Sequence, residues 1–410
     1  MKIAVYTNSI DGSGARRALY EIIKGLSAKN EIDLFCLSSI KLDKFPILNF
    51  IDNLYSYDFR QYKAIAFTPY LFGAFLDFFK KIYYVNKLKK ISKRMCEDIN
   101  SKKYDIAIID VCTSIRIPHH PRYLKIPNVV YYHGLKTDTM LSRVFLDASY
   151  KQDGKITIRN IYKKISKAFF EFSDSIFANI SNKNCKAASL VLTNSYYMRE
   201  SLYRICGVLP EVCYLGVDLS FFRPLPIEKK DYVLSVGGIE DGKCFDFILK
   251  SISLIPLNKR PKLVIVSSRT QKKVLSKLLR LSKKLDVQLT VLENIYGSEL
   301  VKIYSEASIF CFVPWMEAFG LVVLESMACG TPVVGIREGG VREVINDLQT
   351  GLLIDRNELE LSLAIEKLKD DPQLYKNIRE NALRYIEMNW NWPDRVADFE
   401  NKILTQLSKE

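Results

Sequence analysis

The sequence predicts an α/β fold made of two doubly wound domains, each with a mostly parallel sheet covered by helices. Short apolar runs alternate with stretches of helical periodicity along most of the 410 residues, a pattern typical of parallel strands joined by helices. The alternation restarts after a polar, proline-bearing segment at residues 224–231. A chain of this length is also long enough for two separate cores, so two domains are expected.

The elements follow in order along the chain. Ile3–Thr7 is a compact apolar run, residues 11–14 read as a turn, and residues 15–28 carry apolar side chains at helical spacing. Further strands of the first domain are predicted at 32–37, 106–110, 129–132, 190–193 and 212–215. Those of the second are predicted at 232–236, 263–266, 289–292, 309–313 and 331–335. Because ligands of such sheets bind beyond the carboxyl ends of the strands, the expected site is a cleft between the domains.

The positive charge is unevenly distributed along the chain. The net charge is +14, of which residues 1–205 carry +15 and the remainder −1. This asymmetry favours an anionic partner for the N-terminal half, such as a membrane surface, a nucleic acid or an anionic substrate. A lysine-rich background is the plain alternative. No nucleic-acid-binding motif accompanies the charge, so nucleic acid is not an expected partner.

Cysteine and histidine usage points to a reduced protein without a metal site. The nine cysteines form no Cys-x-x-Cys pair, and the three histidines lie at 119, 120 and 133, which argues against a zinc site or a disulfide scaffold. No apolar run reaches the roughly 20 residues that span a bilayer, and the N-terminus lacks the features of a secretory signal. We therefore expect a cytoplasmic protein.

The segment Glu317–Gly340 is the most informative stretch of the sequence. It reads Glu-Ala-Phe-Gly-Leu-Val-Val-Leu-Glu from 317 to 325 and ends in two glycines. The start of a helix offers unpaired N–H groups and the positive end of a dipole, which attract phosphate. Carboxylates accept strong hydrogen bonds from hydroxyls. The combination suits a nucleotide sugar, whereas the plain alternative is a buried Val/Leu helix with two solvated glutamates at its edge.

This segment and weaker matches elsewhere resemble the group 1 type of retaining nucleotide-sugar glycosyltransferases, which are glycosyltransferase family 4-like. The matching motifs are Gly12-Ser-Gly14, His133-Gly134, residues 187–195, Gly216-Val-Asp218, residues 235–239 with Lys243, residues 317–340 and residues 351–355. The resemblance implies GT-B architecture, in which two Rossmann-like domains face a central cleft. It implies an acceptor domain at 1–222, a nucleotide-sugar domain at 223–388, and a terminal helix at 389–410 that returns to the first domain.

The resemblance also implies which residues meet the donor sugar. Glu317 is expected to contact hydroxyls of that sugar, helped by the backbone N–H groups of Phe319, Gly320 and Leu321. His133 is expected to contact the sugar near the reacting carbon. Neither residue is expected to act as a nucleophile.

The resemblance implies a further set of residues that bind the nucleotide part of the donor. Glu325 matches a glutamate that binds the ribose hydroxyls, in the first turn or so of its helix. Lys243 matches a lysine that pairs with the diphosphate and supports departure of the leaving group. Gly12 and Gly14 would form a loop close to the diphosphate. The resemblance implies no catalytic metal and no other cofactor, and the sequence contains no Asp-x-Asp motif.

One phosphate-binding position departs from the family pattern. The family has arginine beside the glycine of the loop that carries Lys243, but this sequence has Gly238, and Cys244 replaces the glycine after the lysine. One of two expected phosphate-binding cations is therefore missing. The candidates to replace it are Arg16, Arg17 and Arg269.

The resulting expectation is a metal-independent, retaining, hexosyltransferase-like enzyme of polysaccharide or glycolipid biosynthesis. It would move a sugar from a nucleotide sugar to a hydroxyl of a glycan or lipid-linked acceptor. The alternatives are a catalytically weak, nucleotide-sugar-binding partner subunit, which the residue at 238 motivates, and a GT-B enzyme of other chemistry, such as a sugar-nucleotide epimerase or a phosphorylase.

The segment Pro69–Arg94 is a candidate membrane-binding surface. Its aromatic and aliphatic residues are followed by a cluster of lysines, a composition typical of a helix that lies in the membrane interface. The alternative is a helix that packs its Phe and Leu side chains into the core and leaves the lysines in water. The first reading predicts peripheral attachment to the cytoplasmic face of a membrane.

Overall fold

The chain forms two compact units. The computed structural model describes residues 1–8, 14–38, 45–59, 71–110, 115, 117–134, 172 and 175–409, with the backbone alone at 71–75 and 77. Unit 1 holds Met1–Asn194, Arg199–Cys213 and Val396–Glu410, and unit 2 holds Ser195–Met198 and Tyr214–Arg395. The sequence predicted a boundary at 222/223. In the structure the continuous part of unit 2 begins at Tyr214, and the Val217 N–H donates to the Trp390 carbonyl at 2.8 Å.

Unit 1 is built on a parallel sheet whose strand order is β3-β2-β1-β4-β5-β6-β7. Its strands are β1 (Lys2–Thr7), β2 (Glu31–Leu37), β3 (Asn53–Tyr57), β4 (Ile106–Asp110), β5 (Asn128–Tyr132), β6 (Leu190–Thr193) and β7 (Glu211–Val212). The central strands are buried throughout, but the edge strand β3 exposes most of its side chains. Because β3 therefore lacks an apolar run, the sequence did not predict it.

The described residues of this part of the chain include the helices α1 (Gly14–Leu26), α2 (Leu71–Asn100) and α3 (Tyr196–Cys206), and residues 175–185 are also helical. Helix α1 buries Leu19, Ile22, Ile23 and Leu26, which are spaced to form one stripe along the helix. This stripe is the one that the sequence pattern predicted.

Unit 2 has a parallel sheet with strand order β10-β9-β8-β11-β12-β13. Its strands are β8 (Lys230–Val236), β9 (Lys262–Ser267), β10 (Leu289–Glu293), β11 (Ala307–Phe312), β12 (Val333–Ile336) and β13 (Leu352–Ile354). The helices are α4 (Phe245–Leu254), α5 (Lys272–Leu285), α6 (Gly297–Glu306), α7 (Leu321–Ala328), α8 (Val341–Val344), α9 (Glu358–Asp370) and α10 (Pro372–Asn389). Val233, Leu263, Ile309 and Val334, from four neighbouring strands, share one buried apolar core with α4 and α9.

The last helix, α11 (Trp392–Leu407), begins in unit 2 and continues in unit 1 from Val396. Phe399 and Ile403 are fully buried, and the Phe399 ring lies 5.6 Å from that of Tyr131 on β5. Gly25 on α1 leaves room for Val396, since an added Cβ there would lie 2.6 Å from the valine Cγ1. Hydrophobic packing therefore holds the end of the chain on unit 1.

The predicted fold class is confirmed: both units are α/β, with parallel sheets and helical connections. The sequence missed β3 and the short strand β13, and it extended β7 to residue 215 although this strand consists of Glu211–Val212 only. Within the described ranges, no helix is both long enough and apolar enough to span a bilayer.

Candidate active site

Residues 317–320 and 337–340, from the two ends of the most informative segment, lie in loops at the carboxyl edge of the unit 2 sheet. Strands β8, β11 and β12 are neighbours and parallel, so the loops after them meet at one edge. Backbone hydrogen bonds join these loops. The Trp315 N–H donates to the Gly242 carbonyl at 3.0 Å, and the Gly340 N–H donates to the Glu317 carbonyl at 2.8 Å.

Lys243 and Glu317 form an ion pair in this group of loops. Lys243 Nζ lies 2.6 Å from Glu317 Oε2, and each side chain is 24% exposed. Burial by itself lowers the pKa of the Lys243 ammonium, but the charge of Glu317 and its hydrogen bond outweigh burial and raise the pKa above its usual value. The Lys243 ammonium is therefore charged at neutral pH, and both side chains remain within reach of solvent.

A close backbone approach holds the Glu317 loop in place. A Cβ added to Gly340 would overlap the carbonyl oxygen of Ala318, and one added to Gly339 would overlap that of Glu317. Only glycine leaves room for this contact. The two glycines at the end of the informative segment thus pack the loop that carries Glu317, a role in positioning rather than in binding.

Arg356 holds the same loop from its other side. Its guanidinium donates to the carbonyls of Val313 and Pro314 at 3.2 and 3.0 Å, pairs with Glu338 at 2.7 Å, and lies 4.0 Å from the centre of the Trp315 ring. Sequence reasoning missed Arg356. A single arginine after a short strand carries no recognisable signal, and its partners are 18 to 43 residues away in the sequence.

The loop leads directly into helix α7. Gly320 precedes the helix with φ of +99°, a backbone conformation that glycine adopts at low cost. The Phe319 ring is buried and lies 5.6 Å from the Trp390 ring. Leu321 is the first residue of the helix, where N–H groups have no acceptor within the helix itself. The structure thus places these three predicted donor-binding residues at a helix start.

Glu325 is the fifth residue of α7 and so lies at the start of its second turn, just beyond the first turn. Its side chain is buried, and Oε2 accepts a hydrogen bond from the Tyr304 hydroxyl at 2.9 Å. The dipole of a helix acts mainly within its first turn. The dipole alone therefore does not account for a carboxylate at this depth, which depends on specific hydrogen-bond donors.

His133 lies in unit 1, directly after β5. The side chain is buried, its ring is 4.1 Å from that of Tyr131, and its carbonyl accepts a hydrogen bond from Asn194. Burial, reinforced by the charge of Arg16, lowers the pKa of the imidazole to about 3, so the ring is neutral at neutral pH. Within the described part of the chain, its Nδ1 is buried without a hydrogen-bond partner.

The remaining predicted positions also belong to unit 1. Gly14 is the exposed first residue of α1, whereas Gly12 lies outside the described residues. Arg16 is buried and forms an ion pair with Asp110 at the end of β4, and this carboxylate also accepts from the Thr7 hydroxyl at 2.8 Å. Sequence reasoning missed Asp110, although a carboxylate that ends an apolar strand was a usable signal.

In the parts of the chain that the structure describes, no three or more His, Cys, Asp or Glu side chains are grouped so as to hold a metal ion.

Comparisons with known proteins give a family match within unit 2. The family described as "Glycosyl transferases group 1" matches residues 218–385. D-inositol 3-phosphate glycosyltransferase of Pseudarthrobacter chlorophenolicus is 30% identical over 229 residues, which are 52% of this chain and 52% of that protein. The N-acetylgalactosamine-N,N'-diacetylbacillosaminyl-diphospho-undecaprenol 4-alpha-N-acetylgalactosaminyltransferase of Campylobacter jejuni is 28% identical over 204 residues, or 48% of this chain and 54% of that protein. The chain thus spans about half the length of these curated relatives.

Among solved structures, sucrose-phosphate synthase from Thermosynechococcus elongatus superimposes with a TM-score of 0.74 at 16% identity and covers 100% of both chains. At this identity the likeness shows the fold alone. The residues matched by the family include Lys243, Glu317 and Glu325. Residues 218–385 are therefore similar to the group 1 glycosyl transferases.

Proposed function

We propose that the protein is a retaining glycosyltransferase that moves a sugar from a nucleotide sugar to a hydroxyl of a glycan or lipid-linked acceptor, without a catalytic metal. The observation that carries the proposal is the Lys243–Glu317 pair beside the start of α7. A cation, a carboxylate and the start of a helix in one place suit a diphosphate joined to a sugar.

The ion pair suggests how the site changes when the donor arrives. Lys243 exchanges the carboxylate of Glu317 for a phosphate oxygen, and Glu317 then accepts hydrogen bonds from hydroxyls of the sugar. The bond from the anomeric carbon to the phosphate oxygen breaks while the acceptor oxygen bonds to that carbon from the same face. The acceptor proton passes to the leaving phosphate. Lys243 stabilises the charge that develops on the diphosphate, and no protein nucleophile is required.

His133 has a separate part in this proposal. Its neutral ring cannot serve as a strong acid at neutral pH, because its pKa is about 3. The buried Nδ1, which has no hydrogen-bond partner in the described part of the chain, would instead form a hydrogen bond with a hydroxyl of the donor sugar. A buried polar atom left without such a partner is costly, which supports a ligand contact.

The relatives support the substrate classes. The Campylobacter jejuni relative is named for a diphospho-undecaprenol acceptor, and the Pseudarthrobacter chlorophenolicus relative for an inositol phosphate. Both names describe a glycosyl-transferring enzyme. The first favours a lipid-linked acceptor for this chain as well.

The first experiment is a thermal-shift screen of the protein against UDP, GDP, ADP, CDP and their common hexose conjugates, since binding to the native state raises the melting temperature. The best donor is then incubated with glycan and polyprenyl-diphosphate acceptors, and the product linkage is analysed for retention with and without EDTA. Inversion, or loss of turnover with EDTA, would contradict the proposal.

Gly238 favours a second candidate, a nucleotide-sugar-binding partner subunit of low activity. It stands where the family carries a phosphate-binding arginine. The incubation with donor and acceptor separates the two functions. A partner subunit binds the donor but neither hydrolyses nor transfers its sugar, even at high protein concentration, whereas an enzyme shows turnover that Lys243→Ala removes.

We also propose that α2 attaches unit 1 to an anionic membrane. Its Leu76, Phe79 and Tyr83 are 40%, 50% and 70% exposed, and they are spaced to form one stripe, which Lys87 and Lys90 continue. The opposite face buries Tyr84, Leu88 and Met95. One face of the helix thus packs into the core, and the other face exposes apolar residues beside lysines. Pro69 and Tyr70 lie outside the described residues.

Co-sedimentation with liposomes tests this attachment. We expect pelleting with vesicles that contain phosphatidylglycerol, little with phosphatidylcholine alone, and release at 1 M salt, where the Debye length falls to about 3 Å. The double variant Lys87→Glu/Lys90→Glu should stay in the supernatant. The matched control, Lys277→Glu/Lys283→Glu on α5, changes charge equally in unit 2 and should pellet like the wild type. Pelleting that ignores lipid charge would exclude the attachment.

A further inference from the structure

Four charged side chains alternate in sign along the carboxyl edge of the unit 2 sheet. Arg269 forms an ion pair with Glu240, and Lys243 forms one with Glu317. Glu240 is close enough for its charge to act on Lys243 as well. Each of the two cations is therefore paired with a carboxylate, and the charge of Glu240 acts on both cations.

The loop that carries Arg269 lies directly against the loop that carries Lys243. The Arg269 carbonyl accepts the Ile239 N–H at 2.8 Å, and Ile239 and Thr270 form a parallel bridge. A Cβ added to Gly238 would lie 3.5 Å from the same carbonyl oxygen. The backbone of Arg269 therefore lies beside position 238, although Arg269 belongs to the loop after a different strand.

We propose that Arg269 is the second cation that binds the diphosphate of the donor, together with Lys243. This inference rests on the proposed function. The Arg269 side chain is 73% exposed, and an exposed ion pair contributes little to stability, so the guanidinium leaves Glu240 at small cost. A diphosphate offers more negative charge and accepts two parallel hydrogen bonds from guanidinium. In the absence of donor, Glu240 holds the arginine beside the loop.

Isothermal titration calorimetry with inorganic pyrophosphate and with UDP, GDP, ADP and CDP tests the inference. Arg269→Ala should weaken binding of pyrophosphate and of the preferred nucleotide by about tenfold or more, as expected for loss of a charged hydrogen bond. Glu240→Gln should strengthen binding a few-fold, because Glu240 no longer competes with the ligand for Arg269 and an exposed ion pair is worth about that much. This gain should vanish in the double variant Glu240→Gln/Arg269→Ala. Arg280→Ala, an exposed arginine on α5, is the matched control and should bind like the wild type.

The outcomes separate this inference from the proposed function. If the wild type binds neither pyrophosphate nor any of the four nucleotides, the proposed function and the inference both fail. If Lys243→Ala weakens binding while Arg269→Ala binds like the wild type, the donor site stands and Arg269 does not belong to it. A gain from Glu240→Gln that persists without Arg269 would also overturn the inference. Because residue 269 is exposed, melting curves of Arg269→Ala should match those of the wild type.

Discussion

Mild acid should destabilise unit 1, because it contains all three histidines of the chain in buried positions. His119, His120 and His133 are 2%, 0% and 8% exposed. Burial is the largest cause that lowers the pKa of each ring from 6.5, to about 4 for His119 and to about 3 for the other two. The unfolded chain therefore binds more protons than the folded chain at every pH between about 6 and 4.

The sign and size of the effect follow from this difference. A base whose pKa is lowered by folding contributes no pH dependence above its unfolded pKa of 6.5. For each pH unit below that value the protein loses about 1.4 kcal/mol of folding stability, until the pH reaches the pKa of the group in the folded state. Between pH 7.5 and 5.5 each histidine costs about 1.4 kcal/mol, and three cost about 4 kcal/mol. That is a large part of the roughly 5–15 kcal/mol by which domains are usually stable.

Urea unfolding followed by circular dichroism at half-unit pH steps measures the effect, and hydrogen exchange assigns it to a unit. We expect the stability of unit 1 to fall by about 4 kcal/mol over this range while unit 2, which has no histidine, changes little. His119→Gln should reduce the change in the free energy of unfolding with pH by about one third, whatever its effect on stability at pH 7.5. Equal stability at pH 5.5 and 7.5, or a loss confined to unit 2, would refute the reasoning.

Three further predictions concern unit 2. Glu325→Gln keeps an acceptor for the neighbouring tyrosine but loses the charge, and it should weaken binding of the preferred nucleoside diphosphate by roughly 10–100-fold in calorimetry; unchanged affinity would remove its assignment to the ribose. Glu317→Ala should cut turnover severely in a donor assay while nucleoside diphosphate affinity stays nearly intact, and an equal loss of both would place Glu317 at the diphosphate or in the fold. Gly340→Ala should lower the free energy of unfolding by about 1–3 kcal/mol, since its Cβ overlaps a backbone carbonyl. Gly238→Ala, whose Cβ meets only ordinary contacts, serves as its control and should change stability little.

The sequence by itself determined the architecture and the location of the candidate site. Apolar runs of strand length predicted the buried strands of both sheets, because a parallel strand covered on both faces needs apolar side chains throughout. The same logic failed for β3, whose side chains are mostly exposed. The spacing of Glu317, Gly320 and Glu325 also predicted the helix start and contributed to the family resemblance, since these residues lie close together along the chain.

Only the tertiary structure decided which charges meet. The pairing of Lys243 with Glu317 joins residues 74 apart, and that of Arg269 with Glu240 joins residues 29 apart. Neither spacing has a periodicity that a sequence pattern could show, because both pairs depend on which strands lie next to each other in the sheet. The depth of Glu325 and the neutrality of the three histidines are decided in the same way. They follow from how completely neighbouring elements exclude water, and burial of this kind is a property of the packed chain.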